Sequence, residues 1–333
     1  MGKRSYIWLK TSILKVYTTK SEYTYMHDLQ AIYNKVRQIL MTEVKEYFTF
    51  DENTRFYPRL PSMSDLEVIS LSIASECLEI HSENLLWSKI KKDYPTMIGK
   101  IGHLTKFNKR RKTLLPITSF CLEKLSNVLH DHLGDETLII DSMPIPVCKL
   151  SREHSSRVCR NITTDEVVAD KGYNIAMGGY YIGYKFHLIV SKSGVYKDMI
   201  ITSASVHDSY FLKILNAEDE HLSSREMLGD RGYIGKVVQL KLFEDLSLEL
   251  KIPYRRNQKD FKIYPYMNKI IRKTIEVIFS QYCDEFRIKE NYAKSFSGIY
   301  CRIVTKVLAK TFKQYINLLN GKPINQTKHA LAA

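Results

Sequence analysis

The residues best placed to do chemistry are three carboxylates. Asp141 follows the apolar run Leu138-Ile139-Ile140, and Asp230 follows Met227-Leu228-Gly229. In a sheet covered by helices, active sites lie at the carboxyl ends of strands. A carboxylate there is costly unless it is hydrogen-bonded or bound to a cation. Taken alone, either aspartate reads first as a helix cap or a turn residue, since Asp is common in both places. Glu276 shifts that reading. It sits between Ile275 and Ile278, at the edge of an apolar helical stripe. Its ordinary partner would be Arg272 one turn earlier, but Arg before Glu is the weaker orientation for such a pair. A helix packed on the sheet could instead present Glu276 to both strand-end aspartates. Three converging carboxylates with few other polar ligands suit hard, oxygen-seeking cations such as Mg²⁺ or Mn²⁺. Two such ions about 3.5–4 Å apart activate a water or a 3′-hydroxyl and stabilise the leaving oxygen in phosphoryl transfer.

The charge balance supplies a matching substrate. The 333 residues include 50 Lys+Arg against 36 Asp+Glu, a net +14. From Lys251 onward, 17 Lys+Arg face only five Asp+Glu. A second basic run spans Lys106 to Lys112 and contains Lys109, Arg110, Arg111 and Lys112. Basic patches of this size concentrate a polyanion and steer its approach; the alternative is a solvated face that keeps the chain soluble. The run 106–112 is the more secure DNA contact, because backbone phosphates need only charge.

Hydrophobic residues at 44% and charged residues at 26% are globular values and exclude a disordered or collagen-like chain. The length allows one large domain or two ordinary ones. No apolar run reaches the roughly 18 residues of a membrane span. The basic N-terminus MGKRSYIWLK has too short an apolar stretch for a signal peptide. Six cysteines without a CxxC pair suggest neither a disulfide framework nor a four-cysteine zinc site, so a cytoplasmic location is expected.

The elements that must position the carboxylates follow from periodicity. Residues 1 to about 134 read as helical. Met26 to Phe48 has helical apolar spacing. Ser64-Asp65-Leu66-Glu67 is a capping box opening a helix to about Ile80. Ser82 caps a shorter helix to about Lys92, and Pro116 begins another that ends at Gly134. Helices at 65–80 and 83–92 have the shape of a helix-turn-helix, with a plain bundle as the alternative. From Thr137 the order becomes a short strand ending at Asp141, an irregular stretch over about 142–180, and a hairpin of 184–191 and 196–206 around Ser193-Gly194. A helix at 208–216, a strand at Met227-Leu228, a helix at 233–243 and a strand at 247–252 follow. Helices at 267–289 and 300–319 close the chain.

These residues together carry a resemblance. Asp141 after a strand, then Leu228-Gly229-Asp230-Arg231-Gly232-Tyr233, then Arg272-Lys273-Thr274-Ile275-Glu276-Val277-Ile278-Phe279-Ser280 resembles the Asp-Asp-Glu transposases of bacterial insertion sequences, closest to the insertion-sequence 982 family. Tyr184-Lys185-Phe186-His187-Leu188 and Ala204-Ser205-Val206-His207-Asp208 match recurring segments of that group. The resemblance implies an α/β chain: an RNase H-like catalytic domain at 135–320, a mixed sheet with helices on both faces. An all-helical, DNA-binding N-terminal region at 1–134 would precede it and a tail at 321–333 follow. It implies Asp141, Asp230 and Glu276 as ligands of two Mg²⁺ or Mn²⁺ ions. Lys185, Arg272 and Lys273 join the basic run as DNA contacts, and a homo-oligomer on double-stranded DNA, away from membranes, is expected. Related enzymes often have a Tyr three residues before the Arg and a Lys seven after the Glu; here Lys269 and Cys283 stand there. The expected activity is phosphodiester hydrolysis and strand transfer at element ends. A nuclease of the same fold, or a non-catalytic DNA-binding derivative, is the alternative.

Other constellations are weaker. Cys148, His154 and Cys159 have irregular spacing for zinc. His207 and Asp208 suit a structural or supporting role. Asp170 echoes the Asp230 motif but follows no clear strand. No phosphate-loop lysine pattern follows Gly178-Gly179.

Overall fold

The computed structural model describes residues 28–96, 102–160, 167–175, 178–222, 225–254, 257 and 261–331. The basic N-terminus and Arg255-Arg256 of the loop after Pro253 lie outside the described residues.

Numbered among these residues, five helices come first: α1 Leu29–Glu43, α2 Asp65–Cys77, α3 Glu83–Asp93, α4 Leu104–Thr113 and α5 Leu115–Leu133. The capping box at Ser64 is present. Its hydroxyl accepts from the Glu67 N–H at 3.1 Å while the Glu67 carboxylate accepts from the Ser64 N–H at 2.8 Å. Every residue of α2 except Glu67 is buried. The Ser82 side chain caps α3, and α5 begins with Pro in its first turn and ends on Gly134 in the left-handed region, φ 62°.

The strands are β1 Thr137–Cys148, β2 Asp170–Asn174, β3 Gly179–Ser191, β4 Tyr196–Ser203, β5 Glu226–Leu228 and β6 Glu249–Lys251. Between them lie α6 Tyr210–Ile214 and α7 Lys236–Leu246, and the chain ends with α8 Tyr266–Asp284 and α9 Phe296–Leu319. The sheet order is β2-β3-β1-β5-β6, with β4 also on β3. Pairing is antiparallel through β4-β3-β1 and parallel through β1-β5-β6. This is a mixed RNase H-like sheet, with helices on both faces.

Two expectations are corrected. The first strand does not end at Asp141 but runs on to Cys148, paired with β3 throughout. Pro144 and Pro146 argue against a strand by propensity. Their spacing of two turns both missing N–H groups to one edge, and β5 pairs with β1 only as far as Ile139, so that edge makes no ladder there. The stretch 142–180 therefore contains the rest of β1, all of β2 and the start of β3. The basic run is also more than a charged surface: it forms α4.

Alternation along β1 separates two cores. Ile139, Met143 and Ile145 face one hydrophobic cluster with α1, α2, α5, α8 and α9. Leu138 and Ile140 face a smaller one with α6 and α7. Helix α9 is buried almost throughout from Gly298 to Asn317 and packs on both α5 and α2. The segment 321–331 folds back on this layer: Asn325 donates to the Ser193 carbonyl at 2.7 Å and Thr327 to Glu285 at 2.8 Å.

Candidate active site

Register sets the first two carboxylates side by side. Ile139 pairs with Leu228 in the parallel ladder. Two residues further on stand Asp141, still on β1, and Asp230, just past the end of β5. Asp141 has the parity of Ile139 and Met143, so its side chain points to the face covered by α8. Gly229 and Gly232 flank Asp230 for steric reasons: a Cβ would lie 3.3 Å from Ile140 Cγ2 at the first and 3.2 Å from the Asp208 carboxylate at the second.

Helix α8 brings the third. Its buried stripe is Ile275, Ile278 and Tyr282, with the Tyr282 ring edge-on to Phe186 of β3 at 6.1 Å. Arg272 and Glu276, four residues apart, share the edge of that stripe. Arg272 Nη1 lies 3.5 Å from Asp230 Oδ1, and Nη2 lies 3.9 Å from Glu276 Oε1. The alternative weighed for Glu276, a pair with Arg272, is thus present, and the guanidinium also reaches across to Asp230. Asp230 and Glu276 are about half exposed, at 51% and 59%, against 24% for Arg272.

Asp141 is the deepest of the three. Burial pushes its pKa up to about 6; the Ser142 N–H, which donates to it at 2.8 Å, and the Arg272 charge oppose that rise, while Asp230 and Asp208 reinforce it. An acid whose folded pKa lies above its unfolded value costs nothing below about pH 4, where both states are protonated, and its full penalty above about pH 6. Asp141→Asn is therefore expected to stabilise the chelator-treated protein by about 1–2 kcal/mol at pH 7.5, the full shift being discounted for solvent in the cleft. The melting-temperature difference between variant and parent should be near zero at pH 4 and widen to a plateau above pH 6. A pH-independent difference would remove burial of charge as its cause.

On the opposite face of β1, Asp208 braces the site from beneath. It accepts from the Ser142 hydroxyl at 3.0 Å and from Lys185 Nζ at 3.1 Å, and Lys185 also donates to the Val206 carbonyl at 2.7 Å. His187 is fully buried beside Thr202, 2.9 Å from its hydroxyl, and burial pushes its pKa down to about 4, so it is neutral. Asp170 lies on β2, separated from β1 by β3, and its carboxylate accepts from the Lys171 N–H at 2.7 Å.

The basic run divides in two. Lys106, Lys109 and Lys112 are exposed. Arg110 pairs with buried Asp65 at 2.6 Å and also donates to Asn53 and the Met63 carbonyl. Arg111 is 93% buried against Glu83 and Glu76. Lys273 is exposed on α8. Arg302, Lys306, Lys310 and Lys313 of the basic C-terminal quarter are buried in α9, so that quarter presents less charge to a polyanion than its composition implies.

Carboxylate oxygens are donors of the kind a hard cation takes. All donors are carboxylate oxygens, and a cation, the Arg272 guanidinium, already stands between two of them. Among the described residues no three His, Cys, Asp or Glu side chains are drawn together into a ligand cluster.

The RNase H-like sheet thus carries Asp141 on β1 and Asp230 just past the end of β5, with Glu276 on the covering helix. Residues 134–295 match the family model described as Transposase DDE domain. The matched segment runs from the cap of α5 to the start of α9, takes in all three carboxylates, and supports a DDE-type transposase, a class that generally uses divalent metal ions and acts on DNA. No curated protein and no solved structure matches the chain. Among the described residues no helix is long and apolar enough to cross a membrane.

Proposed function

We propose that this protein is the transposase of a bacterial insertion sequence, of the insertion-sequence 982 kind, acting in the cytoplasm on the DNA ends of its own element. It cuts a phosphodiester at each end and joins the freed 3′-hydroxyl to target DNA. What supports the reading is the meeting of Asp230 and Glu276 at one guanidinium, near half-buried Asp141, inside a segment that matches a transposase domain.

In this reading Asp141, Asp230 and Glu276 hold two Mg²⁺ or Mn²⁺ ions, which when bound would activate the attacking oxygen and stabilise the leaving one. Asp141 supplies the fixed anchor, held on β1 by its pairing with β3. Asp230 and Glu276 close from the more exposed rim. Arg272 and Lys273 neutralise phosphates at the cleft. Lys185 holds Asp208 and thereby the underside of β1, so its contribution to DNA binding is indirect. The division of labour is a DNA-holding helical region at 1–134, a catalytic region at 135–320 and a packed tail at 321–333. Two or more copies would bring paired ends together.

The testing experiment incubates the protein with labelled DNA bearing the element's terminal repeats, with and without Mg²⁺. Metal-dependent cleavage followed by joining supports transposition. Cleavage without joining reduces the reading to a nuclease, and binding without cleavage to a DNA-binding derivative.

The division of the basic run gives a sharper expectation for affinity. Replacing Lys106, Lys109 and Lys112 with Gln should weaken binding to all sequences and reduce the slope of log affinity against log salt by up to about 3, roughly one per lost phosphate contact. Filter binding across a salt series measures it. Arg110 and Arg111 should be left intact, because their loss would unfold rather than discharge. An unchanged slope would leave the three lysines as a solvated face.

A further inference from the structure

We propose that Arg272 is the resting occupant of the metal cleft, a built-in cation that a divalent ion must displace before the site can work. This rests on the reading that Asp141, Asp230 and Glu276 hold divalent ions. The guanidinium spans the two rim carboxylates with separate nitrogens, 3.5 Å to Asp230 and 3.9 Å to Glu276. Its charge also reaches Asp141, where it opposes the effect of burial. One cation thus serves all three acids. Both contacts are longer than hydrogen bonds, so the guanidinium is held as a charge rather than as a forked donor. Among the described residues Arg272 makes no hydrogen bond that would fix it in place. It is held loosely, by the same negative charge that would draw a metal ion.

A guanidinium and a divalent ion cannot share that position, because like charges a few ångströms apart repel strongly in a partly desolvated cleft. Loading is therefore an exchange. While Arg272 is in place, Asp230, Glu276 and Asp141 do not repel one another unopposed. When Arg272 leaves, it carries its charge to the rim of the cleft, where the phosphodiester enters. Arg272 is a positioning residue in this account: it sets how readily the carboxylates accept an ion.

The test measures Mn²⁺ binding by calorimetric titration, with thermal melting alongside, on the full chain without DNA. The variants are Arg272→Gln, Arg272→Lys and Asp141→Asn. Arg272→Gln should bind Mn²⁺ about five- to tenfold more tightly than the parent, since the competing charge is gone. It should also melt at a lower temperature without metal and show a larger upward shift on adding Mn²⁺. Arg272→Lys keeps the charge without the planar fork and should fall between the two; it also decides the matter if Arg272→Gln does not fold. Equal or weaker Mn²⁺ binding by Arg272→Gln, with the parent binding normally, would overturn the proposal and make Arg272 a support of the metal site. If neither parent nor Arg272→Gln binds Mn²⁺ and Asp141→Asn behaves as they do, the metal reading itself fails and takes the exchange with it.

Discussion

Glu276→Gln is expected to abolish cleavage and strand transfer while leaving binding to element ends nearly intact. The substitution keeps the size of the side chain and removes one negative charge. Glu276 is more than half exposed and contacts Arg272 at 3.9 Å, a surface pair whose loss costs at most about 1 kcal/mol of stability. The fold should therefore survive, and the phosphate contacts proposed on α4 lie on another element. In the proposed site the same glutamate holds charge that the transition state depends on, so its loss should lower both steps together by about 10²-fold or more. Asp141→Asn and Asp230→Asn should behave alike. Asp170→Asn, on an edge strand two positions away, should cost little. The assay is labelled-end cleavage and joining in Mg²⁺ beside a gel shift on the same DNA. Near-normal cleavage by Glu276→Gln would show that the third carboxylate has been misassigned. Glu285 would not replace it, because the structure commits Glu285 to Thr327 and Lys313; Glu290, beside Arg287 at the surface, would be tested next.

The parts of this site that were legible in the sequence are those governed by local rules. A capping box, a proline in a first helical turn, a glycine after a last turn and an apolar stripe at 275, 278 and 282 each depend on residues within a turn of one another. The structure has each where the spacing expects it. That Asp141 and Asp230 follow short apolar runs was legible for a related reason; that those runs pair in parallel was not. What was not legible depends on distant partners. Nothing near Pro144 and Pro146 announces that one edge of β1 is unpaired, so the strand read as ended. Asp170–Asn174 is polar and becomes β2 only because Gly179–Gly183 is there to pair with it. Arg110 looks like its neighbour Lys109, and only the fold places Asp65 beneath it. Nor does the i,i+4 spacing of Arg272 and Glu276 reveal that the arginine also faces an aspartate forty-two residues earlier.

The C-terminal lysines show the same limit with the largest energetic stake. Lys306, Lys310 and Lys313 lie on one side of α9 and read as a solvated or DNA-facing stripe, yet all are buried. Lys306 Nζ lies 2.5 Å from Glu76 of α2 and 2.5 Å from the Phe286 carbonyl. Lys313 lies 3.5 Å from Glu285, and burial pushes Lys310 down to a pKa of about 7. The Glu76–Lys306 pair joins the helical N-terminal region to the helix that backs the catalytic sheet. Removing one partner of a buried pair leaves an uncompensated charge, at a cost of about 3–5 kcal/mol. Glu76→Leu should show that loss in chemical denaturation, since it strands Lys306 and deprives Arg111 of a carboxylate 4.0 Å away. Lys306→Met should cost less, because Arg111 remains near Glu76. Combining Glu76→Leu with Lys306→Met should recover much of the loss, as apolar replacements of buried pairs do. The double-mutant cycle should give a coupling of about 2 kcal/mol or more. Additive costs would mean that the pair carries no net charge interaction. The functional signature also differs from that of Glu276→Gln: loosening this joint should weaken DNA binding and cleavage in parallel, because it acts on the frame that both share.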